Sequence, residues 1–281
     1  MSTSSPSVSA CIVCYNNETT LGETIRSIQA QTVPIAETVV VDDGSSDGSA
    51  AVAAALGARV IRHAANLGRG AARARALREV RHDLVLSVDA TGTIEPRFLS
   101  LVLPWFDEPS VAAVCSRIDD PRPHGLVRRW RARHLFRTGA QVSVSRKASL
   151  ITGGSVLRRA AILGVGNFDA NLRFAEDADA GRRLLVAGHD VVFDPRVCMT
   201  STADNSLAQV LERYWRWSAA SDASPSWHGY LRQIAYSIKV MARQDLSAGD
   251  PAAAAISLLT PHYHAWKTLL RRRTPRTAGS V

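Results

Sequence analysis

The stretch Thr38-Val-Val-Val-Asp-Asp-Gly-Ser-Ser-Asp47 decides how this chain is read. Three consecutive valines make a short strand buried on both faces, the kind that fills the middle of a parallel sheet. The strand runs straight into two carboxylates and a glycine-bearing turn. Open α/β folds bind ligands at the C-terminal edge of the sheet, so Asp42 and Asp43 are delivered to a ligand edge. Turn chemistry alone also favours Asp and Gly after a strand, and the wider pattern has to carry the assignment.

Working outward, short apolar runs alternate with helical patterns, the rhythm of an α/β protein with a mostly parallel central sheet flanked by helices. Strands are expected near 8–14, 37–42, 58–62, 83–88 and 111–116, and helices near 18–31, 47–56, 69–80 and 96–106. From Asp119 to Ala148 the periodicity fades, and a mobile loop or a short basic helix fits that composition. Order resumes at Thr152-Gly-Gly-Ser and Val165-Gly-Asn-Phe-Asp169, then reaches a helix opened by Glu176-Asp-Ala-Asp179. Acids suit a helix N-terminus electrostatically, so capping is one reading of that cluster. The remainder looks helical and ends in a basic tail.

A chain of 281 residues, 46% apolar with both charge signs, can bury one large core with a helical appendage. No apolar run approaches the roughly 20 residues needed to cross a bilayer. The start Met-Ser-Thr-Ser-Ser-Pro lacks a secretory signal pattern, which places the protein in the cytosol, and four cysteines suit that reducing compartment. Cys11 and Cys14 form a C-x-x-C, but they lie in an apolar strand, where positions i and i+3 face opposite sides, and no second pair exists. They are read as small core residues. The net charge of +9 divides into −3 over residues 1–115 and +12 over 116–281. Arg122 to Lys147 holds eight Lys/Arg and no acid, a composition for a solvated loop, a nucleic-acid patch, or a docking surface for a phosphorylated or membrane-borne acceptor. No nucleic-acid-binding module accompanies it, so nucleic acid is not an expected partner. His262-Tyr-His264 has no carboxylate or cysteine beside it, and no metal site is assigned there.

Taken together, Cys14-Tyr-Asn-Asn-Glu18, the Asp42-Asp43-Gly44 turn, Asn66-Leu-Gly-Arg-Gly-Ala-Ala-Arg73 and Glu176-Asp177 resemble the ordered motifs of family 2 glycosyltransferases. The resemblance implies a GT-A fold, the nucleotide-diphospho-sugar transferase architecture. It also implies inverting transfer of one sugar from a nucleotide-sugar donor, uridine-linked, to an acceptor hydroxyl. It divides the chain into a transferase domain over 1–205 and a helical extension over 206–281. The domain comprises a nucleotide-binding half, 1–116, and an acceptor-binding half, 117–205, with the basic loop 119–148.

Carried over residue by residue, the resemblance places Tyr15, Asn16, Glu18, Asp43, Arg73, Asp89 and Thr91 at the donor. Asp43 would accept the uracil ring N–H, and Asp89 would meet the ribose. Asp177 takes the position of the catalytic base, beside Glu176, with Gly153 and Gly154 forming the acceptor-side floor. Arg75 reads as part of a solvated helix face. The chain departs from the family at Leu86-Ser-Val-Asp-Ala-Thr-Gly, where Thr91 stands in place of the second aspartate of the Asp-x-Asp metal motif, leaving Asp89 alone. A hydroxyl is a poor ligand for Mg²⁺ or Mn²⁺. Met199-Thr-Ser-Thr202 likewise lacks the histidine that many relatives place there, so a divalent cation would be only weakly required. Arg213-Tyr-Trp-Arg-Trp217 distantly resembles a motif of processive synthases, which offers Arg213, Arg216 and Trp217 to the diphosphate. Without membrane spans, processive synthesis is rejected, and a cytosolic or membrane-peripheral enzyme is expected. The alternative is a noncatalytic member of the fold that binds a nucleotide sugar or a protein partner.

Overall fold

The structure, a computed structural model, describes residues 6–121, 123–219 and 226–273. The chain forms two compact units: residues up to Asp120 with Gly139–Ala203, and Pro121–Thr138 with the chain from Asp204 onward.

The first unit is built on an eight-stranded sheet. In chain order it begins β1 (Val8–Cys14), α1 (Glu18–Gln29), β2 (Ile35–Asp42), α2 (Ser49–Ala55) and β3 (Arg59–Arg62). It continues with α3 (Arg69–Glu79), β4 (Leu84–Ser87), β5 (Gly92–Ile94), α4 (Phe98–Val102) and β6 (Val111–Asp119). The chain then enters the second unit through α5 (Gly125–Arg131) and returns with β7 (Ser155–Arg158), α6 (Arg159–Gly164), α7 (Glu176–Val186) and β8 (Asp190–Ser201).

The strand order is β3-β2-β1-β4-β7-β6-β8-β5. The four strands at the β3 end are mutually parallel. Their residues Val39, Val40, Val41, Val85 and Leu86 are wholly buried, because a parallel sheet covered by helices has no solvent face. Beyond β4 the sheet is mixed, since β7 runs antiparallel to both neighbours and β5 antiparallel to β8. The chain reverses its direction of growth at β1, with β2 on one side and β4 on the other, which opens a crevice at their C-terminal ends. Cys11 and Cys14 are buried within β1, and burial pushes their thiols up to about 11 and about 12, so neither is a reactive thiolate at neutral pH.

The second unit is helical. Its elements are α5, α8 (Leu207–Ala219), α9 (Trp227–Tyr236), α10 (Arg243–Ser247) and α11 (Pro251–Arg273). Of the two forms left open for the basic stretch, the chain takes the helix over Gly125–Arg131, continued by a wider turn to Phe136. Trp130 is fully buried among Val210, Leu211, Met241, Ala253 and Ile256, and its indole N–H donates to Ser257 Oγ at 2.8 Å. Pro261 lies inside α11 and has no N–H for the carbonyl of Ser257. That carbonyl instead accepts from the hydroxyls of Ser237 at 2.6 Å and Thr260 at 2.8 Å.

Much of the basic stretch is engaged in pairs. Arg129 is bound to Asp250 at 2.8 Å, Arg133 to Asp245, Arg146 to Glu108 at 2.7 Å and Lys147 to Asp190 at 2.8 Å. Buried Arg131 donates to Asn205 at 2.6 Å. These five cations of the eight have their partners within their own units.

Candidate active site

The ends of β1 and β2 are in register, Cys14 opposite Asp42, so the loops that follow leave the sheet side by side. Hydrogen bonds lace them together. The Asn16 N–H donates to Ser45 Oγ at 2.9 Å, and its side-chain oxygen accepts from the Ser46 N–H at 2.9 Å. The Glu18 N–H donates to Asp47 at 3.0 Å, while the Glu18 carboxylate accepts from the Gly48 N–H at 3.0 Å. Asn16 holds a left-handed backbone, φ 52°, which its side chain tolerates better than most. Tyr15, 49% exposed, is left standing at the strand end with its ring available to a ligand.

Asp43 is buried, and its two oxygens are already engaged. Oδ1 lies 2.8 Å from His63 Nδ1 and accepts from the Leu67 N–H at 3.0 Å; Oδ2 accepts from the Gly68 N–H at 2.8 Å. The carboxylate therefore organises the loop that leads into α3. That loop docks on the segment before α7, where the Gly70 N–H donates to Leu172 O at 3.0 Å. A Cβ at position 70 would lie 2.1 Å from Asp169 O, so only glycine permits the contact.

Arg73 projects from α3 beneath the crevice, 6% exposed. Its Nε donates to Glu176 Oε1 at 2.8 Å, Nη2 to Asp89 Oδ1 at 3.1 Å, and Nη1 reaches Ser87 Oγ at 3.5 Å. Burial alone would lower its proton affinity, but the charges of Glu176, Asp89 and Asp177 reverse this and hold the guanidinium protonated. Arg75, by contrast, lies on the outer face paired with Glu79 at 2.7 Å.

α7 starts after Ala175, a non-glycine residue in the left-handed region at φ 61°. The bend directs Glu176 inward, where it is 1% exposed, and leaves the next residue half-buried. Among the described residues Asp177 makes one hydrogen bond, from the Ala178 N–H at 2.9 Å. Burial, followed by the charge of Glu176, pushes its carboxyl above the ordinary value, with Arg73 opposing. A carboxylate with unused lone pairs and raised proton affinity can take a proton from a substrate.

The floor between these groups is glycine. A Cβ at Gly153 would lie 2.9 Å from Asp89 Oδ2, and Gly154 is left-handed at φ 68°. The expected metal motif forms a tight turn, the Gly92 N–H donating to Asp89 O at 3.0 Å. Thr91 is tied to the residue that follows β8 through its carbonyl, which accepts from the Thr202 N–H at 2.9 Å. Met199, where relatives have histidine nearby, packs its side chain against Gly92, Gly153 and Gly154. Among the described residues no three His, Cys, Asp or Glu side chains gather in a way that could hold a metal ion. With Asp89 bound to Arg73 and Thr91 neutral, this donor set does not fit a tightly held cation.

Arg213, Arg216 and Trp217 lie on α8 in the helical unit. The Arg213 guanidinium stacks 5.1 Å from the Trp217 ring and 5.5 Å from Phe136. Sequence reasoning missed His63 and Ser87, which stand at or just beyond strand ends beside motif residues, the signal that was available; the Met199 stretch was noted for its missing histidine but not for the packing of Met199 against the glycine floor.

The fold is that of the GT-A glycosyltransferases. The Glycosyl transferase family 2 pattern matches residues 9–165, and the chain belongs to that family. A pre-mycofactocin glycosyltransferase of Mycobacterium tuberculosis is 30% identical over 197 residues, covering 67% of this chain and 41% of that protein. A Streptococcus pyogenes hyaluronan synthase is 32% identical over 123 residues, 40% of this chain and 29% of its own. The chain thus spans well under half the length of these curated relatives. Among solved structures, a Pyrobaculum calidifontis mannosyltransferase in complex with GDP-Man and Mn²⁺ superposes with a TM-score of 0.64 at 18% identity, covering 96% of this chain and 89% of that one. S. aureus TarS 1–349 in complex with UDP-GlcNAc gives 0.56 at 18% identity, covering 95% and 89%.

Proposed function

We propose that the chain transfers one sugar from a nucleoside diphosphate sugar to an acceptor hydroxyl with inversion, and that Asp177 is the general base. The observation that carries this is the Asp177 carboxylate, hydrogen-bonded once among the described residues and raised in proton affinity beside Glu176, Arg73 and Asp89. The acceptor oxygen attacks the anomeric carbon from the face opposite the diphosphate. The bond from that carbon to the phosphate oxygen breaks, its electron pair leaves with the nucleoside diphosphate, and the acceptor proton passes to Asp177.

Tyr15 is positioned to stack on the nucleobase. Asp43 supports the base pocket through the Leu67–Gly68 backbone, with one lone pair of Oδ2 left for a uracil N–H. Asp89, on the crevice wall, is assigned to the ribose, and Arg73 fixes it from below. A uridine donor is proposed because Asp43 takes the position that accepts the uracil ring N–H in the family the sequence resembles; guanine also offers a ring N–H, so a panel of UDP- and GDP-sugars decides between them. The relatives' names support nucleotide-sugar use, GDP-Man in one neighbour and UDP-GlcNAc in another.

A noncatalytic binder is the rival reading, favoured by the neutral Thr91 and the Asp89–Arg73 pair. Incubation with a panel of UDP- and GDP-sugars separates the two. Slow release of nucleoside diphosphate that disappears in Asp177→Asn supports the transferase; binding with no turnover of any donor supports the rival.

A further inference from the structure

Helices α9 and α11 turn a broad apolar surface to solvent. Along α9 and the turn after it, Trp227, Leu231 and Ile238 are 80%, 59% and 52% exposed and recur at helical spacing. Along α11 the same is true of Leu258, Trp266 and Leu269, with Leu259 and Leu270 beside them. Tyr230 joins the two stripes. Its hydroxyl lies 2.8 Å from His262 Nδ1, its ring packs on His262 at 6.0 Å, and Trp227 packs on Tyr230 at 5.9 Å. His262 is one helical turn from both Leu258 and Trp266, so the stripes form one continuous patch. Surface apolar residues scattered singly need no explanation, but a contiguous patch of this kind marks an interaction site.

The charge beside the patch that has no partner of opposite sign among the described residues is basic; Glu212 of α8, the acid brought against α11, is itself paired with Lys267 at 2.9 Å. Residues 226–273 contain seven Lys/Arg and two acids. Both acids are buried and paired, Asp245 with Arg133 and His134, Asp250 with Arg129. Arg232, Lys239 and Arg243 are exposed, and none makes an ion pair among the described residues. Arg232 and Lys239 each directly follow an apolar residue of the α9 stripe, Leu231 and Ile238.

We propose that this face docks the protein on an anionic lipid surface. Tryptophan, leucine and isoleucine enter the boundary between headgroups and acyl chains, and the arginines and lysine meet lipid phosphates. A second copy of this chain is a poorer occupant, because it would bring like charges together. No described helix is long and apolar enough to cross a membrane, which fits a surface that lies on the bilayer.

Flotation of the full chain with phosphatidylcholine vesicles, with and without roughly a third of phosphatidylglycerol, tests the proposal. Binding is expected to the anionic vesicles and to weaken with salt. Arg232→Gln and Lys239→Gln should each lower partitioning about fivefold, the equivalent of one surface cation. Leu231→Glu should abolish it with unchanged melting temperature, since that side chain is exposed, and Trp266→Glu should abolish it as well, with a lower melting temperature because the ring also packs on Tyr263. Three results would overturn the proposal: no flotation with anionic vesicles, flotation indifferent to the glutamate variants, or a dimer in sedimentation that Leu231→Glu dissolves. The assay needs no sugar donor, so its outcome is separate from that of the transferase reading.

Discussion

Arg73 and Glu176 meet at 2.8 Å across 103 positions of sequence, both almost wholly buried. The pair ties α3 of the nucleotide side to the start of the helix that presents Asp177. Arg73→Ala strands the Glu176 charge, and breaking such a pair costs about 3–5 kcal/mol. Arg73→Lys should fail in part as well, because an ammonium cannot present two fixed donors to two carboxylates. Urea denaturation should show both losses, with partial recovery when Glu176→Gln is added to Arg73→Ala. A wild-type midpoint for Arg73→Ala would contradict this role.

Asp43→Ala removes the acceptor for two backbone N–H groups and for His63. Leaving such donors unpaired costs roughly 1–3 kcal/mol, so stability should fall together with affinity for the nucleoside diphosphate. Calorimetry on a stabilised background separates the two effects. Unchanged stability would mean that the loop does not depend on Asp43.

Because the neutral Thr91 and the Arg73-bound Asp89 make a poor donor set, activity is expected to survive EDTA with a modest loss. Thr91→Asp should restore the missing carboxylate and make turnover more dependent on Mn²⁺. Complete loss in EDTA, reversed by micromolar Mn²⁺ in the unaltered protein, would show a tight site despite Thr91.

Ala175 holds φ 61°, a conformation costing a non-glycine residue about 1–2 kcal/mol. Ala175→Gly should relieve part of that strain and raise stability by roughly 0.5–1 kcal/mol. A lowered melting temperature would show that the methyl group contributes packing that outweighs the strain.

The parallel half of the sheet was legible because valine runs, turn glycines and helix-entry residues agree with one another there. The Gly68 and Gly70 spacing was legible as a motif, although its cause, close packing of Gly68 against Arg173 and of Gly70 against Asp169 and Leu172, is a contact between distant segments. The part played by Asp43 was not legible: its partners are backbone N–H groups of a loop more than twenty positions away, which no side-chain pattern reports. Similarly, the pairing of Arg129 and Arg133 was not legible because their partners, Asp250 and Asp245, lie over a hundred positions downstream.

The central claim is that Asp177 takes the acceptor proton. Its carboxyl is raised in the folded state, so the fold binds that proton more tightly than the unfolded chain does. Its contribution to stability therefore declines as pH rises from the ordinary carboxylate value through the raised one. The acid limb of the activity profile should lie above the usual carboxylate range for the same reason, and Asp177→Asn should stabilise the fold at neutral pH.

The most direct measurement is the rate of sugar transfer by Asp177→Asn, under conditions where chemistry limits the rate, with donor affinity determined alongside. The account predicts transfer lower by at least about a hundredfold, the usual scale for a general base, with donor affinity nearly unchanged and the acid limb abolished. Transfer at the unaltered rate would contradict it.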